Sequence, residues 1–182
     1  MKINTVLFGL TGFGNEVLKQ LLNNEAVKVL SVFTRKEKAA FPYYSCEQID
    51  SYAKKKKIKI YYDKTFSIEN VDLIIVSTYH KLIDLEKSNY TFAINIHPSL
   101  LPKYKGRDTI NEVLKKKEEY TGVSLHKLTE KFDSGEIIFQ EKLKIDKNDN
   151  KSKVMQKMLS IYSNLTNYYI ESLKKNFKCN TD

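Results

Sequence analysis

Short apolar runs alternate with segments of helical spacing along the first part of the chain. The runs are rich in Val, Ile, Leu and Phe and are bounded by turn residues, as is typical of buried strands. Between the first two runs, four apolar residues share one helical face: Val17, Leu18, Leu21 and Leu22. The predicted strands are residues 4–10, 26–33, 58–62 and 71–77. This βαβαβ order favours a doubly wound parallel sheet of the α/β class.

The rest of the chain predicts capped helices and a hairpin. Thr109 followed by Glu112 is a helix-capping pattern, and so is Ser45 followed by Gln48. Residues 122–128 and 136–145 alternate as strands around a turn that contains Asp133. An apolar stripe predicts one long helix over about residues 151–175. We interpret residues 1–182 as a single domain.

The net charge of +9 raises the question of a nucleic-acid partner. The lysines are concentrated at 54–57, 115–117 and 174–175, at the polar ends of predicted helices. Lysine interacts favourably with the helix dipole there, so solvated helix faces explain the charge. Nucleic acid is therefore not an expected partner, although an RNA-binding protein stays an alternative.

The sequence carries no pattern for export, membrane insertion or metal binding. The first ten residues hold one charge and a short apolar run that breaks at Gly9, unlike a signal peptide. No apolar run approaches the roughly 20 residues of a membrane span. Cys46 and Cys179 show neither disulfide nor zinc spacing. We expect a cytoplasmic protein that does not contact a membrane and has no metal site.

Residues 94–102 place two polar side chains at the end of a predicted strand. Asn95 and His97 lie two residues apart, so on an extended chain they project to the same side. In parallel α/β sheets, ligands bind at the carboxyl ends of the strands. This stretch therefore predicts a site in which an amide supplies a hydrogen-bond donor and an imidazole transfers a proton.

Three glycines, Gly9, Gly12 and Gly14, predict a tight turn before the first helix. Free N–H groups at a helix N-terminus attract phosphate or carboxylate, but a purely structural turn needs no ligand. The spacing is not Gly-x-Gly-x-x-Gly, and Arg35 lies in the segment where an NAD-binding protein carries an acidic residue. A non-catalytic NADP-binding module, with Arg35 on the 2′-phosphate, is one alternative.

Three more titratable residues need separate interpretation. His80 and His126 are isolated in the sequence, which favours a structural role for both. Asp133 lies in a turn between two strands and on its own would be a turn former. Together with Asn95 and His97 it becomes a site candidate, because a carboxylate orients an imidazole and raises its basicity.

Three motifs follow one another between Asn95 and Ile138. They read Asn95-Ile-His97-Pro-Ser-Leu-Leu-Pro102 with Lys105-Gly106, then Thr121-Gly-Val-Ser-Leu-His126, then Phe132-Asp133-Ser-Gly-Glu-Ile-Ile138. In this order they resemble the formyltransferases that use 10-formyltetrahydrofolate. That family includes glycinamide ribonucleotide formyltransferase, methionyl-tRNA formyltransferase and the sugar nucleotide N-formyltransferases. The resemblance runs over residues 71–140 and implies a Rossmann-like catalytic domain, with a mostly parallel sheet flanked by helices.

By this resemblance Asn95, His97 and Asp133 match the family's catalytic trio. Asn95 and a protonated His97 would stabilise the tetrahedral oxyanion, and His97 with Asp133 would move the proton of the attacking amine. The resemblance also allows a cis Leu101–Pro102 bond and requires no metal.

The co-substrate implied by the resemblance is 10-formyltetrahydrofolate. By the same resemblance its pterin would lie against the backbone of residues 79–83 and of residues 129–133. The cofactor-binding residues expected on this basis are Tyr79, His80, Lys81, Leu82 and Ile83, and Thr129, Glu130 and Phe132.

The sequence constrains the identity of the acceptor amine less than it constrains the formyl donor. Methionyl-tRNA enzymes carry an additional C-terminal domain and few residues follow Gln140 here, so a whole tRNA is disfavoured. Glycinamide ribonucleotide enzymes carry Gly-x-Gly-Ser-Asn in the first loop, whereas Glu16 here lies near the position of the substrate phosphate.

We therefore expect a small-molecule acceptor, a nucleotide-linked amino sugar, with glycinamide ribonucleotide as the alternative. The substrate-binding residues expected are Gly12, Phe13, Gly14, Lys105 and Arg107, with Lys103 as a further diphosphate partner. A homodimer is compatible with the sequence.

Overall fold

The computed structural model describes residues 2–36, 47–63, 69–86 and 89–179, with backbone alone for 176–179. This part of the chain forms seven strands and four helices. The strands are β1 (Ile3–Gly9), β2 (Val27–Thr34), β3 (Lys59–Tyr62), β4 (Val71–Ser77), β5 (Tyr90–His97), β6 (Tyr120–Lys127) and β7 (Ile137–Lys144). The helices are α1 (Phe13–Asn23), α2 (Ile49–Lys55), α3 (Thr109–Lys115) and α4 (Lys151–Cys179).

All seven strands join one sheet in the order β3-β2-β1-β4-β5-β6-β7. The first five pair in parallel, whereas β6 and β7 pair antiparallel at one side. The predicted mostly parallel α/β sheet is therefore confirmed, and the strand boundaries agree with the sequence prediction to within two residues. The chain order reverses between β1 and β4, which is where open α/β sheets bind ligands, at the carboxyl ends of the strands.

The two faces of the sheet are covered differently. One hydrophobic core contains buried residues of all four helices, such as Leu18 of α1 and Tyr162 of α4. The other core contains no helical residue in the described part of the chain; it comprises strand residues such as Phe8 and Ile74 with Tyr79 from the segment after β4. The described helices therefore lie on one face of the sheet, unlike the expected doubly wound arrangement, and irregular backbone covers the second face.

The helix α4 ties the sheet to the N-terminal turn. Its buried stripe confirms the predicted long helix, which ends at Cys179, beyond the expected residue 175. The Tyr162 hydroxyl donates to the Ile96 carbonyl at 3.1 Å, and the Tyr162 ring stacks on Phe13 at a centroid distance of 4.3 Å. This contact fixes the strand that carries Asn95 and His97. Within the described ranges, no helix has an apolar stretch long enough to cross a membrane.

Two predicted helix caps differ from the structure. α3 begins at Thr109 itself, after Asp108 in a left-handed conformation with φ 59°. The Thr109 hydroxyl donates to the Pro98 carbonyl at 2.9 Å, so it does not cap the helix. α2 begins after Gln48, which makes no side-chain capping bond; Ser45 lies outside the described residues.

Candidate active site

A cavity of about 370 Å³ opens at the carboxyl ends of β1, β4 and β5. Leu10 follows β1, Thr78 follows β4, and Asn95 and His97 close β5. The turn between β6 and β7 supplies Asp133 from the other side. The cavity therefore lies at the reversal of strand order, where this class of sheet binds its ligands.

The structure brings Asn95, His97 and Asp133 together at one carboxylate oxygen. Asn95 Nδ2 donates to Asp133 Oδ1 at 3.0 Å, and His97 Nδ1 lies 3.3 Å from the same atom. The His97 and Asp133 side chains are only 6% and 5% exposed, so these contacts are formed with little competition from water. An amide, an imidazole and a carboxylate in this arrangement can share and transfer protons.

Asp133 is held by its own backbone and by a neighbouring loop. Its φ of 49° places it in the left-handed region, which Asp tolerates better than most residues. The Gly106 N–H donates to Asp133 Oδ2 at 2.7 Å. Burial acts to raise the pKa of Asp133, but the neighbouring His126 and His97 side chains and the Gly106 N–H together lower it. The carboxylate is therefore ionised at neutral pH.

His97 is fixed from its far side by a backbone carbonyl. Its Nε2 lies 2.9 Å from the Tyr104 carbonyl, and Tyr104 has a left-handed φ of 56°. Ser99 Oγ donates to the same carbonyl at 3.0 Å, within a loop whose Leu101–Pro102 bond is cis. Burial lowers the pKa of His97, against the opposing effects of Asp133 and the Tyr104 carbonyl.

His126 also belongs to this cluster, although it is isolated in the sequence. Its Nε2 lies 3.0 Å from Asn95 Nδ2 and 3.6 Å from Asp133 Oδ1. Its Nδ1 lies 2.8 Å from the Lys127 carbonyl. The signal that could have located His126 is strand pairing: it lies directly opposite Asn95 in the antiparallel β5–β6 register.

Most of the predicted cofactor-binding residues line the cavity. The segment after β4 forms one wall and the β6–β7 turn forms another, and Leu82 and Phe132 expose 49% and 51% of their surface there. Glu130 instead lines a neighbouring shallow pocket. The predicted residues in the cavity wall are Tyr79, His80, Lys81, Leu82, Ile83, Thr129 and Phe132.

His80 is more than a surface residue in this wall. Its Nε2 lies 3.2 Å from Asp63 Oδ1, and its Nδ1 is buried without a hydrogen-bond partner among the described residues. Burial lowers the pKa of His80, against the attraction of Asp63. Its carbonyl accepts a hydrogen bond from Arg107 Nη2 at 2.8 Å, which links the two loops at the cavity.

The predicted substrate-binding residues separate into three places. Arg107 lines the main cavity, whereas Lys105 lines a surface pocket together with Lys103. Gly12, Phe13 and Gly14 line neither of these cavities.

The N–H groups of the glycine turn are used within the protein. Gly12 has φ 101°, and its N–H donates to Asn15 Oδ1 at 2.9 Å. The Gly14 N–H donates to the Leu10 carbonyl at 3.1 Å. Phe13 is buried against Tyr162. This geometry favours the structural interpretation of the turn over anion binding.

Basic side chains surround the cavity. Arg35 lines it at the end of β2, and Lys81, Arg107 and Lys131 line it from three other segments. Asp108 and Asp133 are the acidic lining residues. The excess of positive charge favours an anionic ligand. Across the described ranges, no three His, Cys, Asp or Glu side chains are placed to hold a metal ion.

Comparison with known proteins identifies the class to which this fold and site belong. The family model described as "Formyl transferase" matches residues 1–167. The chain therefore belongs to the formyl transferase family, whose members transfer one-carbon groups.

Two curated relatives extend the match over most of the chain. One is the bifunctional polymyxin resistance protein ArnA of Wigglesworthia glossinidia brevipalpis, 32% identical over 82% of this chain and 24% of its own length. The other is the methionyl-tRNA formyltransferase of Ehrlichia ruminantium, 30% identical over 86% of this chain and 56% of its own length. The chain thus spans about a quarter and about half of these relatives.

Two solved structures show the same fold at lower identity. WlaRD, a sugar 3N-formyl transferase crystallised with dTDP and 5-N-formyl-THF, matches with a TM-score of 0.78 and 24% identity, over 97% of this chain and 64% of its own. Phosphoribosylglycinamide formyltransferase from Bacillus halodurans matches with a TM-score of 0.71 and 21% identity, over 89% of this chain and 90% of its own.

Proposed function

We propose that this protein transfers a formyl group from 10-formyltetrahydrofolate to a primary amine, using Asn95, His97 and Asp133. The observation that carries the proposal is the meeting of Asn95 Nδ2 and His97 Nδ1 at Asp133 Oδ1, at 3.0 and 3.3 Å, beside a cavity. Membership of the formyl transferase family supports the reaction class.

We assign the proton transfer to His97. Because burial lowers its pKa, the imidazole starts neutral and can accept the proton that the attacking amine loses. Its Nε2 faces the Tyr104 carbonyl and carries the hydrogen, so Nδ1 is the basic atom. Once protonated, the ring donates to Tyr104 and to Asp133, and it holds the proton until N10 of the folate takes it.

We assign stabilisation of the oxyanion to Asn95, on the condition that one of its amide hydrogen bonds opens first. Both hydrogens of its amide are directed to protein acceptors, Asp133 Oδ1 and His126 Nε2. One of these contacts must open before Asn95 donates to the tetrahedral oxyanion. When protonated His97 Nδ1 donates to Asp133 Oδ1, that oxygen needs the Asn95 hydrogen less, so the Asn95 donor becomes available as negative charge develops on the substrate.

The cavity walls suit a folate. Tyr79 to Ile83 and the turn with Phe132 line the cavity together with the catalytic trio and offer apolar surface and backbone groups. Leu10, Val76 and Leu128 add apolar surface. A planar heterocycle with polar edges is the kind of ligand that such a cavity buries. The sugar formyltransferase of similar fold was crystallised with 5-N-formyl-THF, which supports this choice of co-substrate.

For the acceptor we propose the amine of a nucleotide-linked amino sugar. The fold likeness to the sugar 3N-formyl transferase covers 97% of this chain, and Arg107 lies in the cavity with a charge suited to a diphosphate. Glycinamide ribonucleotide is the second candidate, because the Bacillus halodurans enzyme and this chain cover about nine-tenths of each other. Methionyl-tRNA is the third, supported by 30% identity to the Ehrlichia ruminantium enzyme.

One assay separates these acceptors. Purified protein is mixed with 10-formyltetrahydrofolate and, in separate reactions, amino-sugar nucleotides, glycinamide ribonucleotide and methionyl-tRNA, while release of tetrahydrofolate is followed. We expect formylation of an amino-sugar nucleotide. Turnover with one of the other two acceptors instead would reassign the substrate, and no turnover with any of them would contradict the proposed transfer.

Site variants test the assignment within the same assay. Asn95→Ala and His97→Ala should each lose on the order of a hundredfold or more in kcat. Lys175→Ala, an exposed change on α4, is the control and should keep the wild-type rate. Unchanged activity in both site variants would refute the site.

A further inference from the structure

His126 is the buried titratable residue that the proposed reaction leaves without a role. Its side chain is 1% exposed, and it lies on β6 directly opposite Asn95. The β6–β7 register shifts between Leu125 and His126, and such bulges re-aim side chains near functional sites. His126 does not line the cavity, so any effect on the substrate must act through a neighbour.

The contacts of His126 fix its tautomer. Nδ1 lies 2.8 Å from the Lys127 carbonyl, which can only accept, so Nδ1 carries the hydrogen. In the neutral ring, Nε2 is then an acceptor, and the atom 3.0 Å away from it is Asn95 Nδ2.

The amide orientation of Asn95 follows from the same geometry. A flipped amide would place its oxygen where Nδ2 is now, 3.0 Å from the ionised Asp133 Oδ1 and from the Nε2 acceptor of His126. Both contacts would then be repulsive. The two acceptors therefore hold the amide in one orientation, and the described hydrogen bonds leave Asn95 Oδ1 unused.

We propose that His126 is a positioning residue for formyl transfer: its Nε2 accepts one Asn95 hydrogen and keeps the amide at the angle that the reaction needs. Asp133 holds the second hydrogen and is drawn toward His97 during proton transfer. His126 is then the contact that keeps Asn95 in place while Asp133 releases it. This inference rests on the proposed formyl transfer, and one of its two tests does not depend on activity.

Two substitutions separate the Nε2 contact from simple packing. In His126→Gln the side-chain oxygen reaches the position of Nε2 and can still accept from Asn95. In His126→Asn the amide reaches only the position of Nδ1, so the Lys127 contact is retained and the Asn95 contact is lost. Both variants introduce a neutral amide, and thermal unfolding measures the stability of each.

The kinetic test compares kcat with KM. His126→Asn should lose about a hundredfold in kcat, as a misplaced catalytic group does, with KM for folate and acceptor unchanged because the residue does not touch the cavity. His126→Gln should recover most of that loss. Equal losses in both variants, a wild-type kcat in His126→Asn, or an effect confined to KM would overturn the proposal.

The second test uses the wild-type protein without substrate. A long-range ¹H–¹⁵N NMR spectrum should show His126 as the Nδ1–H tautomer. The Asn95 side-chain amide signals should move in His126→Asn and stay near their wild-type positions in His126→Gln. The opposite tautomer, or Asn95 signals that do not respond to His126→Asn, would overturn the inference even if the acceptor of the enzyme were assigned wrongly.

Discussion

Asp133 concentrates more interactions than any other residue of the candidate site. Its Oδ1 accepts from Asn95 and faces His97 and His126, while its Oδ2 accepts from Gly106. In Asp133→Asn the shape is preserved but the charge is lost, and the new amide can orient only one acceptor toward the site. We expect kcat to fall on the order of a hundredfold or more, since the carboxylate no longer supports protonated His97. Steady-state kinetics with 10-formyltetrahydrofolate would measure this loss.

The carboxylate of Asp149, outside the candidate site, provides the control for that substitution. The Asp149 side chain is 5% exposed and pairs with Lys157, far along the chain from the site. Asp149→Asn should reduce thermal stability while leaving kcat at its wild-type value. Equal rates in Asp133→Asn and the wild-type protein would contradict the catalytic assignment of Asp133.

The protonation of His97 links the site to stability. Burial lowers the pKa of His97 in the folded chain. At a pH between the folded and the unfolded pKa, His97 is therefore protonated only in the unfolded chain. This contribution to stability is complete above the unfolded pKa and is lost as the pH falls toward the lower, folded value. We expect the free energy of unfolding to decrease as the pH falls through about 6.5, the ordinary pKa of His, and His97→Gln to show a shallower decrease.

His80 affects the free energy of unfolding in the same pH range, so its contribution must be measured with a separate variant. Burial lowers its pKa too, so its effect on stability has the same sign. Asp133, whose pKa is lowered as well, acts only at more acidic pH. Denaturant titrations of the wild-type protein, His97→Gln and His80→Gln would separate the two histidines. A pH slope in His97→Gln identical to that of the wild type would exclude a lowered pKa for His97.

The β6–β7 turn is the element that couples two parts of the site. A Cβ at Gly135 would overlap the Lys127 carbonyl, the same carbonyl that anchors His126 Nδ1. In Gly135→Ala the turn must shift, and both Asp133 and His126 move with it. We expect kcat to fall by more than about tenfold, since small misplacements of catalytic groups are costly, together with a lower Tm. A lower Tm with unchanged kcat would show that Asp133 is insensitive to the turn.

An element can be predicted from the sequence when the interactions that form it involve residues close together in the chain. The strands could be predicted because each buried strand is a short run of consecutive apolar residues. The Thr109 cap was predicted wrongly, because the Thr109 hydroxyl donates to the Pro98 carbonyl, a contact that the local sequence pattern does not reveal. His126 escaped prediction for a similar reason: its role depends on the pairing of β5 with β6, a long-range property that no spacing within one strand reveals.

At the scale of the whole molecule, the strand order explains where the site lies. Parallel pairing brings the ends of β1, β4 and β5 to one edge, and the antiparallel β6 returns the chain so that Asp133 reaches Asn95. The sequence predicted the sheet and, through a family resemblance, the grouping of Asn95, His97 and Asp133. It did not predict that the described helices lie against one face, leaving the other to irregular segments such as the cavity wall after β4.

Ligand binding by the folded chain distinguishes the folate enzyme from an NADP-binding module. A ligand at about 100 times its Kd stabilises the folded state by about 2.7 kcal/mol, which raises the Tm of a chain of this size by several degrees. We expect this shift with 5-formyltetrahydrofolate and none with NADP. A shift with NADP alone that is lost in Arg35→Ala would contradict the folate proposal. Asn95→Ala should keep the folate shift while losing turnover, because the proposal assigns pterin binding to the apolar walls of the cavity and assigns to the Asn95 amide only a role at the formyl group.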